Sequence, residues 1–421
     1  MPPRSKSASN ACLMTPLKLT RRRFLLMAGC GLAAAGGGYT YVRGLRFPPL
    51  DLVGDGPTTA WKAGGTSVSA RGAFFKAMDD GAFLFRAFVP EPVFKVRGDG
   101  GGAVRIKVEN LHRDAQLGAQ GAPASLDEEK DNLERTVSLR PAAGAEAGFS
   151  WRFPRQEQFR FAAIGDSGGG TELHWVLKRA SQFGADFLLH LGDIYYEKGD
   201  LERASGHFRD ADIPAYSAIG NHDFNNNGHA EYPRFHRLIG PGNFIFRLGG
   251  IEFVTFDTAA MFFPADRGRR GQILNALNPV GANGGIRDRV AFTHMPLRDP
   301  DPKRGHAVGR AAEARWLRER LLSTGTKNLL AGHIHIKDEF DDHGLHTYIS
   351  GQGLAHADLI VNHAYAQILL GDVAPGEPVA YRWQPLKMPF NWHCNRRNLE
   401  VLDALERPQV KAKLLRACHK A

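Results

Sequence analysis

Five short segments of the sequence combine glycine or threonine with side chains that bind metal ions. They are Gly165-Asp166-Ser167-Gly168, Gly192-Asp193-Ile194-Tyr195-Tyr196, Gly220-Asn221-His222-Asp223, Thr293-His294-Met295-Pro296 and Gly332-His333-Ile334-His335. Each segment alone is a weak signal, because a Gly-Asp pair usually makes a turn and a lone histidine is more often a surface or packed residue. Their joint occurrence in this order indicates a functional site.

The side chains of these segments suit a two-metal site. They supply two carboxylates, a phenol, an amide oxygen and three imidazoles, from Asp166, Asp193, Tyr196, Asn221, His294, His333 and His335. Seven ligands are too many for one ion, and oxygen and imidazole donors without thiolate suit Fe, Mn, Zn or similar ions. Two ions about 3.5 to 4 Å apart, bridged by a carboxylate, stabilise both the attacking and the leaving oxygen at phosphorus. We therefore expect phosphoester hydrolysis.

The five segments follow predicted strands. From Phe159 onward, apolar strands are followed by helical patterns, which is typical of a layered α/β domain. Strands are predicted at 159–164, 187–191, 216–219, 251–256, 289–293 and 328–331, and helices at 173–183 and 311–322. Open α/β sheets bind their ligands at the C-terminal ends of strands. We therefore expect the five segments to meet.

A region of different texture precedes this domain. The run Val104-Arg105-Ile106-Lys107-Val108 alternates apolar and charged side chains, as half-buried strands do. With similar runs and Gly-rich breaks around it, it predicts a small antiparallel β-sandwich with a packing or positioning role. The expected organisation is a leader at 1–40, a connector at 41–66, the β-sandwich at 67–155, the catalytic domain at 156–380 and a C-terminal tail at 381–421.

Over residues 159 to 357, the segments resemble those of the calcineurin-like metallophosphoesterases. Most members begin with Asp-x-His, whose histidine binds the first metal, whereas this sequence has Asp166-Ser167-Gly168. It offers instead Tyr196, three residues after Asp193. That arrangement is similar to the purple acid phosphatases, in which a tyrosinate replaces the histidine. The resemblance implies a four-layer αββα domain that hydrolyses phosphate monoesters.

The resemblance also implies a role for each residue. Fe(III) would be held by Asp166, Asp193, Tyr196 and His335, and a divalent Fe, Zn or Mn ion by Asp193, Asn221, His294 and His333. Three anionic ligands against five metal charges leave about +2, which attracts a phosphate dianion. A metal-bound hydroxide would attack phosphorus in line. His222 would hydrogen-bond the phosphoryl oxygens or protonate the leaving alkoxide, and Asp223 would either orient His222 or stabilise its turn.

Two other functions stay open at this point. A phosphodiesterase fits the same ligands, because they do not distinguish one ester arm from two. A non-catalytic surface protein could keep the fold as a binding module, although no ligand is missing. A nucleic-acid-binding protein is disfavoured, because lysine and arginine are scattered and no stripe of basic and aromatic residues occurs.

The charge is concentrated at the N-terminus. The net charge is +10, and residues 1–40 carry six lysines and arginines without an acidic residue, so the remaining chain carries +4. The segment Thr20-Arg21-Arg22-Arg23-Phe24-Leu25-Leu26 resembles a twin-arginine export signal. The apolar run after it is shorter than the ~20 residues of a spanning helix. We expect a bacterial periplasmic or secreted protein that uses the twin-arginine export machinery.

The cysteines leave two questions open. Membrane attachment is expected only if the leader stays uncleaved or Cys30 is lipidated, since Leu26-Met27-Ala28-Gly29-Cys30 resembles a lipoprotein processing site. Cys394 and Cys418 could pair in an oxidising compartment or stay free thiols.

Overall fold

The computed structural model describes residues 59–386, apart from 64, 99–101, 122, 124, 143, 227–228, 261–268, 283–284 and 354–365, together with residue 412. The predictions for the leader at 1–40, Cys30, Cys394 and Cys418 therefore lie outside the described residues. Within these ranges, every helix is too short or too polar to cross a membrane.

The N-terminal region is a sandwich of two five-stranded sheets. Its strands are β1 Thr59–Ala63, β2 Thr66–Arg71, β3 Ala73–Asp79, β4 Ala82–Ala87, β5 Val93–Arg97, β6 Val104–Glu109, β7 Gln116–Gln120, β8 Ser125–Asp131, β9 Glu134–Arg140 and β10 Glu146–Arg152. The sheet orders are β1-β2-β5-β10-β7 and β3-β4-β6-β9-β8. Phe94 and Phe149 of one sheet pack with Phe85, Ile106 and Val137 of the other in a single core, which holds the two sheets together.

Two details of the sandwich differ from the predictions. Strands β4 and β6 pair in parallel, because β5 between them belongs to the opposite sheet, so the sandwich is not purely antiparallel. Strand β1 lies within the predicted connector at 41–66. It pairs antiparallel with β2, and its Trp61 ring stacks on Phe75 at 4.1 Å. These tertiary contacts explain why a stretch without apolar periodicity is a strand.

The remaining elements form the α/β region. Its strands are β11 Phe159–Ile164, β12 Phe187–His190, β13 Ala215–Ser217, β14 Asn225–Asn226, β15 His229–Ala230, β16 Phe244–Leu248, β17 Ile251–Thr255, β18 Asp288–Phe292, β19 Asn328–Ala331, β20 Lys337–Asp342, β21 Leu345–Ser350, β22 Ala366–Val373 and β23 Ala380–Leu386. Its helices are α1 Thr171–Gln182, α2 Asp200–Arg209, α3 Asn221–Phe224, α4 Tyr232–Leu238, α5 Arg269–Asn275 and α6 Ala311–Ser323. The last strand runs past the predicted domain boundary at residue 380.

Two mixed sheets face each other in this region. The first sheet has the order β13-β12-β11-β22-β23 with β11, β12 and β13 parallel, and the second has the order β16-β17-β18-β19-β21-β20 with β17, β18, β19 and β21 parallel. Phe161 and Phe187 of the first sheet pack between the sheets with Phe253 and Phe292 of the second. Helix α1 covers β12, and α5 and α6 cover the second sheet. The predicted four-layer αββα fold with a β-sandwich before it is confirmed.

The sandwich contacts the outer strand of the first sheet. The Asn110 side chain donates to the Ala215 carbonyl at 2.9 Å and accepts from the Ala215 N–H at 2.9 Å. The buried Arg86 guanidinium donates to the same carbonyl at 3.3 Å. Side chains of the sandwich therefore take the hydrogen bonds that a further strand would make to β13.

Candidate metal centre

The seven predicted donors all lie at the C-terminal ends of strands. Asp166 follows β11, Asp193 and Tyr196 follow β12, Asn221 follows β13, His294 follows β18, and His333 and His335 follow β19. The oxygen donors come from the first sheet and the imidazoles from the second. Because the two sheets are stacked, their strand ends bring both kinds of donor to one edge.

One group of donors surrounds the Tyr196 hydroxyl. Its Oη lies 3.4 Å from Asp166 Oδ1, 3.3 Å from Asp193 Oδ2 and 3.3 Å from His335 Nε2. We call these four residues the Tyr196 set. The side chain predicted to replace the missing histidine therefore lies among the three residues with which it was predicted to act.

A second group surrounds the His294 ring. Its Nε2 lies 2.9 Å from Asn221 Oδ1, 3.2 Å from His333 Nδ1 and 3.3 Å from Asp193 Oδ1. We call these four residues the His294 set. Asp193 belongs to both sets and presents a different oxygen to each, which is the arrangement of a bridging carboxylate.

The spacing of the donors fits metal binding. Oxygen and nitrogen ligands lie about 2.0 to 2.2 Å from a transition metal, so neighbouring ligands around one ion lie about 3 Å apart. The neighbouring donors of both sets are separated by 2.9 to 3.4 Å. The coordinating atoms of Asp193, His294 and His333 all lie within 4.8 Å of one another. Each set could hold one ion, with Asp193 between the two.

Hydrogen bonds outside the sets fix which atoms face the centre. His294 Nδ1 lies 2.8 Å from the Leu191 carbonyl, to which it can donate, so that Nε2 faces the other donors. The His333 N–H donates to Asp166 Oδ2 at 2.8 Å, which directs Oδ1 of the same carboxylate to Tyr196. Such partners orient metal ligands and tune their basicity.

The buried charges of the centre favour a cation. Burial raises the pKa of Asp166, with the carboxylate of Asp193 adding to the effect. Burial also acts to raise the pKa of Asp193, but the His294 charge outweighs it and the pKa is lowered. Burial lowers the pKa of His294, whereas Asp193 raises it, for a net rise to about 9. The two buried carboxylates are therefore stabilised by a positive charge beside them. A metal ion could supply this charge in place of a proton on His294.

The backbone is unusual at three of the donors. Asp166, Asp193 and His333 have φ values of 64°, 59° and 66°, in the left-handed region that few residues other than glycine adopt. Two glycines beside these donors allow close approach of the backbone, since a β-carbon at Gly220 would overlap Asp193 Oδ1 and one at Gly332 would lie 2.6 Å from Asp166 Oδ2. Backbone conformations of this kind concentrate at functional sites.

Three further histidines lie around the centre. The His222 N–H donates to Asp193 Oδ1 at 3.0 Å, and its ring centroid lies 4.8 Å from that of Tyr196. The exposed His306 has its ring 5.7 Å from the His333 ring. His190 is fully buried and its Nε2 lies 2.8 Å from Ser167 Oγ, so it is a packed residue.

Asp223 contacts the backbone rather than the His222 ring. Its Oδ2 accepts from the N–H groups of Asp193 and Gly220, and its Oδ1 from those of Ile194 and Tyr195, at 2.8 to 2.9 Å. Burial and the Asp193 carboxylate raise the pKa of Asp223 to about 7, against the lowering effect of these hydrogen bonds. Of the two predicted roles, orientation of His222 is therefore replaced by stabilisation of the turns.

Sequence analysis did not single out Asp200. This carboxylate is fully buried at the first residue of α2, and its Oδ2 accepts from the N–H groups of Tyr196 and Glu197 at 2.8 and 2.9 Å. The only sequence signal is another Gly-Asp pair, Gly199-Asp200, at the start of a helix, where an acidic residue is common for helix stability alone.

A model of the calcineurin-like phosphoesterase family matches residues 159–351. We call this region, which is similar to the calcineurin-like phosphoesterases, the phosphoesterase domain. The match begins at β11 and ends just after β21, so it contains all seven donors. Calcineurin-like phosphoesterases are metal-dependent phosphoester hydrolases with a dinuclear metal centre, and the donor arrangement of this phosphoesterase domain fits such a centre.

Three solved structures are among those similar to the chain. The anchor protein GAP50 of the Plasmodium inner membrane complex is 13% identical, with 59% of this chain and 95% of that chain covered and a TM-score of 0.40. A dimetal phosphatase from Danio rerio is 13% identical, with 54% and 96% covered and a TM-score of 0.38. A structure of PhoD is 12% identical, with 78% and 95% covered and a TM-score of 0.39. No curated protein sequence matches the chain significantly.

Proposed function

We propose that the phosphoesterase domain hydrolyses phosphate monoesters in the manner of the purple acid phosphatases, with Fe(III) in the Tyr196 set and a divalent Fe, Zn or Mn ion in the His294 set. The observation that supports this proposal most strongly is the position of the Tyr196 hydroxyl, 3.3 to 3.4 Å from one donor atom of each other member of its set. A phenol with an ordinary pKa of about 10 binds as phenolate at neutral pH only beside a strongly Lewis-acidic ion.

The metal pair supplies Lewis acidity and a water of lowered pKa when bound. The protein residues would hold and orient the ions: Asp193 joins the two sets, the Leu191 carbonyl orients the His294 ring, and Asp166 holds the backbone of His333. With the proposed charges, the centre keeps a positive charge of about +2, which favours a phosphate dianion over a diester monoanion. This difference favours the monoester over the diester.

His222 and His306 are proposed to act on the substrate. The His222 ring lies beside Tyr196, where it can donate a hydrogen bond to a phosphoryl oxygen or a proton to the leaving alkoxide. The exposed His306 ring, next to His333, lies on the side of the His294 set and can donate to an anionic substrate. Together they place one proton donor beside each set.

The site of action is proposed from the leader. Residues 1–40 carry the twin-arginine pattern and no acidic residue, which supports export by the twin-arginine machinery to the periplasm or beyond. That route carries folded proteins with their metal already loaded, and a metal centre built from both sheets of a folded domain suits it. Export can be tested by fusing residues 1–40 to a reporter protein that folds before export and that the general export route therefore cannot carry. The double variant Arg21→Lys, Arg22→Lys of this fusion is expected to stay in the cytoplasm.

The activity is tested with the purified, metal-loaded protein. We expect turnover of an aryl phosphate monoester at least tenfold faster than turnover of the matching diester. His333→Asn should lower turnover by about 10- to 100-fold or more, whereas the control His174→Asn, which replaces an exposed histidine on α1, should leave it unchanged. Faster turnover of the diester would support the phosphodiesterase alternative. Absence of turnover with both metals bound would support a binding protein.

A further inference from the structure

Five consecutive backbone N–H groups follow strand β12 and all donate to buried carboxylates. Those of Asp193, Ile194 and Tyr195 donate to Asp223, and those of Tyr196 and Glu197 donate to Asp200, at distances of 2.8 to 2.9 Å. Successive N–H groups that converge in this way attract anions. In this domain two side chains of the protein occupy that position, so the segment that carries Asp193 and Tyr196 is held along its whole length.

Asp200 is the member of this pair that contacts Tyr196. Its Oδ2 takes two N–H groups, and its Oδ1 accepts from the Arg203 guanidinium at 2.7 Å. The carboxylate has no exposed surface, and Arg203 lies one turn further along α2. A charged acceptor with these partners forms stronger hydrogen bonds than a neutral one. The Arg203 contact therefore anchors the Asp200 carboxylate to α2, independently of its bonds to the Tyr196 segment.

A second contact links Asp200 to the Asp166 turn. A β-carbon at Gly169 would overlap the Asp200 carbonyl, so the backbone after Asp166 packs directly on the start of α2. The same residue thus contacts the backbone at Tyr196 with its side chain and the segment after Asp166 with its main chain. The Tyr196 hydroxyl stands at the end of a long side chain, where a small rotation of the backbone displaces it from the other donors.

We propose that Asp200 is a positioning residue that holds the Tyr196 hydroxyl in the Tyr196 set, so that loss of its carboxylate weakens metal binding in that set and not in the His294 set. The inference rests on the proposed function for the assignment of Tyr196 as a metal ligand. Partners of this kind change metal affinity by about 10- to 100-fold in other metal sites. We expect an effect in that range for the ion in the Tyr196 set.

The test compares three variants of the full-length protein. Asp200→Ala removes the acceptor, and Asp200→Asn keeps one acceptor oxygen and should restore part of the affinity. Asp186→Ala is the matched control, because Asp186 is also buried and also accepts from a backbone N–H, that of Arg160 at 2.9 Å, and from an arginine. Asp186 precedes β12, at the end of the strand away from the metal centre.

Two readouts separate positioning from general destabilisation. Fe(III) and Zn²⁺ are titrated separately, and phenolate formation by Tyr196 is followed by difference absorbance with Tyr196→Phe as the blank. For Asp200→Ala, we expect the affinity of the Tyr196 set for its ion to fall by about 10- to 100-fold. The phenolate absorption band should be weaker or shifted, and the affinity of the His294 set for its ion should be unchanged. Thermal unfolding of the metal-free variants shows whether both alanine variants are folded.

The outcomes are distinct. Wild-type protein that forms no phenolate with either metal would contradict the proposed function itself. Wild-type protein that does form it, with Asp200→Ala behaving like Asp186→Ala in both readouts, would overturn the role of Asp200 and leave the proposed function intact. Equal weakening of both sets in Asp200→Ala would also overturn the role, because it would indicate a general effect on the fold.

Discussion

The two sheets of the phosphoesterase domain contribute to the proposed metal centre in different ways. The first sheet provides all the oxygen donors, and two buried carboxylates hold the segment after β12 through its backbone. The second sheet provides all the imidazoles, and two of these residues are held by bonds to residues of the first sheet: the His294 ring by the Leu191 carbonyl, and the backbone N–H of His333 by the Asp166 carboxylate. The first sheet thus positions its own donors and also two of those of the second.

This difference indicates where the centre is most sensitive. A change in the first sheet can disturb both sets, because Asp193 belongs to both and Asp166 also orients His333. A change at one imidazole of the second sheet should disturb one set. The following predictions test this asymmetry, beginning with the largest expected effect.

Asp193→Asn should have the largest effect. The amide nitrogen cannot bind a metal, so one of the two bridging contacts is lost and the charge with it. We expect turnover of an aryl phosphate to fall by more than about 100-fold, because replacing a residue that only hydrogen-bonds to a metal ligand already lowers activity by about 10- to 100-fold. Metal analysis should show both ions depleted. Retention of two ions per chain with normal turnover would show that Asp193 does not bridge.

Tyr196→Phe and His333→Asn should each affect one set. The phenylalanine keeps the packing against His222 and loses the oxygen, so the ion of the Tyr196 set should be depleted and any phenolate absorption should disappear. The asparagine should deplete the ion of the His294 set. Each variant should lose about 10- to 100-fold or more in turnover. If His333→Asn removes both ions, the two sets are not separate.

Asp223→Asn should weaken the centre through the backbone. In the variant, an NH₂ group replaces the Oδ2 atom that accepts from the N–H groups of Asp193 and Gly220. These two buried N–H groups therefore lose their acceptor. We expect about 1 to 3 kcal/mol lower stability in urea unfolding and about 10- to 100-fold weaker metal binding. Asp342→Asn is the control, because Asp342 is buried and bonds to arginines away from the centre. It should lose stability and keep its metal affinity.

His190→Gln should have the smallest effect, on the pH dependence of stability. Burial lowers the pKa of His190 to about 3, so the folded protein keeps the ring neutral. The unfolded chain binds a proton below its ordinary pKa of about 6.5, so this residue lowers stability by about 1.4 kcal/mol per pH unit as the pH falls from there towards 3. In urea unfolding of the metal-free protein between pH 6 and 5, the variant should show a slope smaller by that amount. Equal slopes would contradict a buried, neutral His190.

That the proposed donors lie together could be predicted from sequence because their signals are local. A continuous apolar run such as Phe187 to Leu191 predicts a buried strand, and the residues after it are then placed at the edge of a sheet. The types of the side chains, oxygen and imidazole without thiolate, indicate metal binding by themselves. Strand ends and donor chemistry together define the centre.

The parts that could not be predicted depend on tertiary contacts. Asp200 acts through backbone N–H groups, which every residue except proline carries, so no pattern of side chains marks its partner. The parallel pair β4 and β6 depends on the placement of β5 in the other sheet. Strand β20, with the sequence Lys-Asp-Glu-Phe-Asp-Asp, is too charged to be recognised without its partner β21.

The central claim is that two ions bind at one edge of the domain, joined by Asp193. Metal analysis of the purified protein after reconstitution, with turnover of an aryl phosphate monoester measured on the same sample, tests it most directly. We predict two ions per chain and turnover that rises with the second ion and is lost in Asp193→Asn. Full turnover with at most one ion per chain would contradict the account.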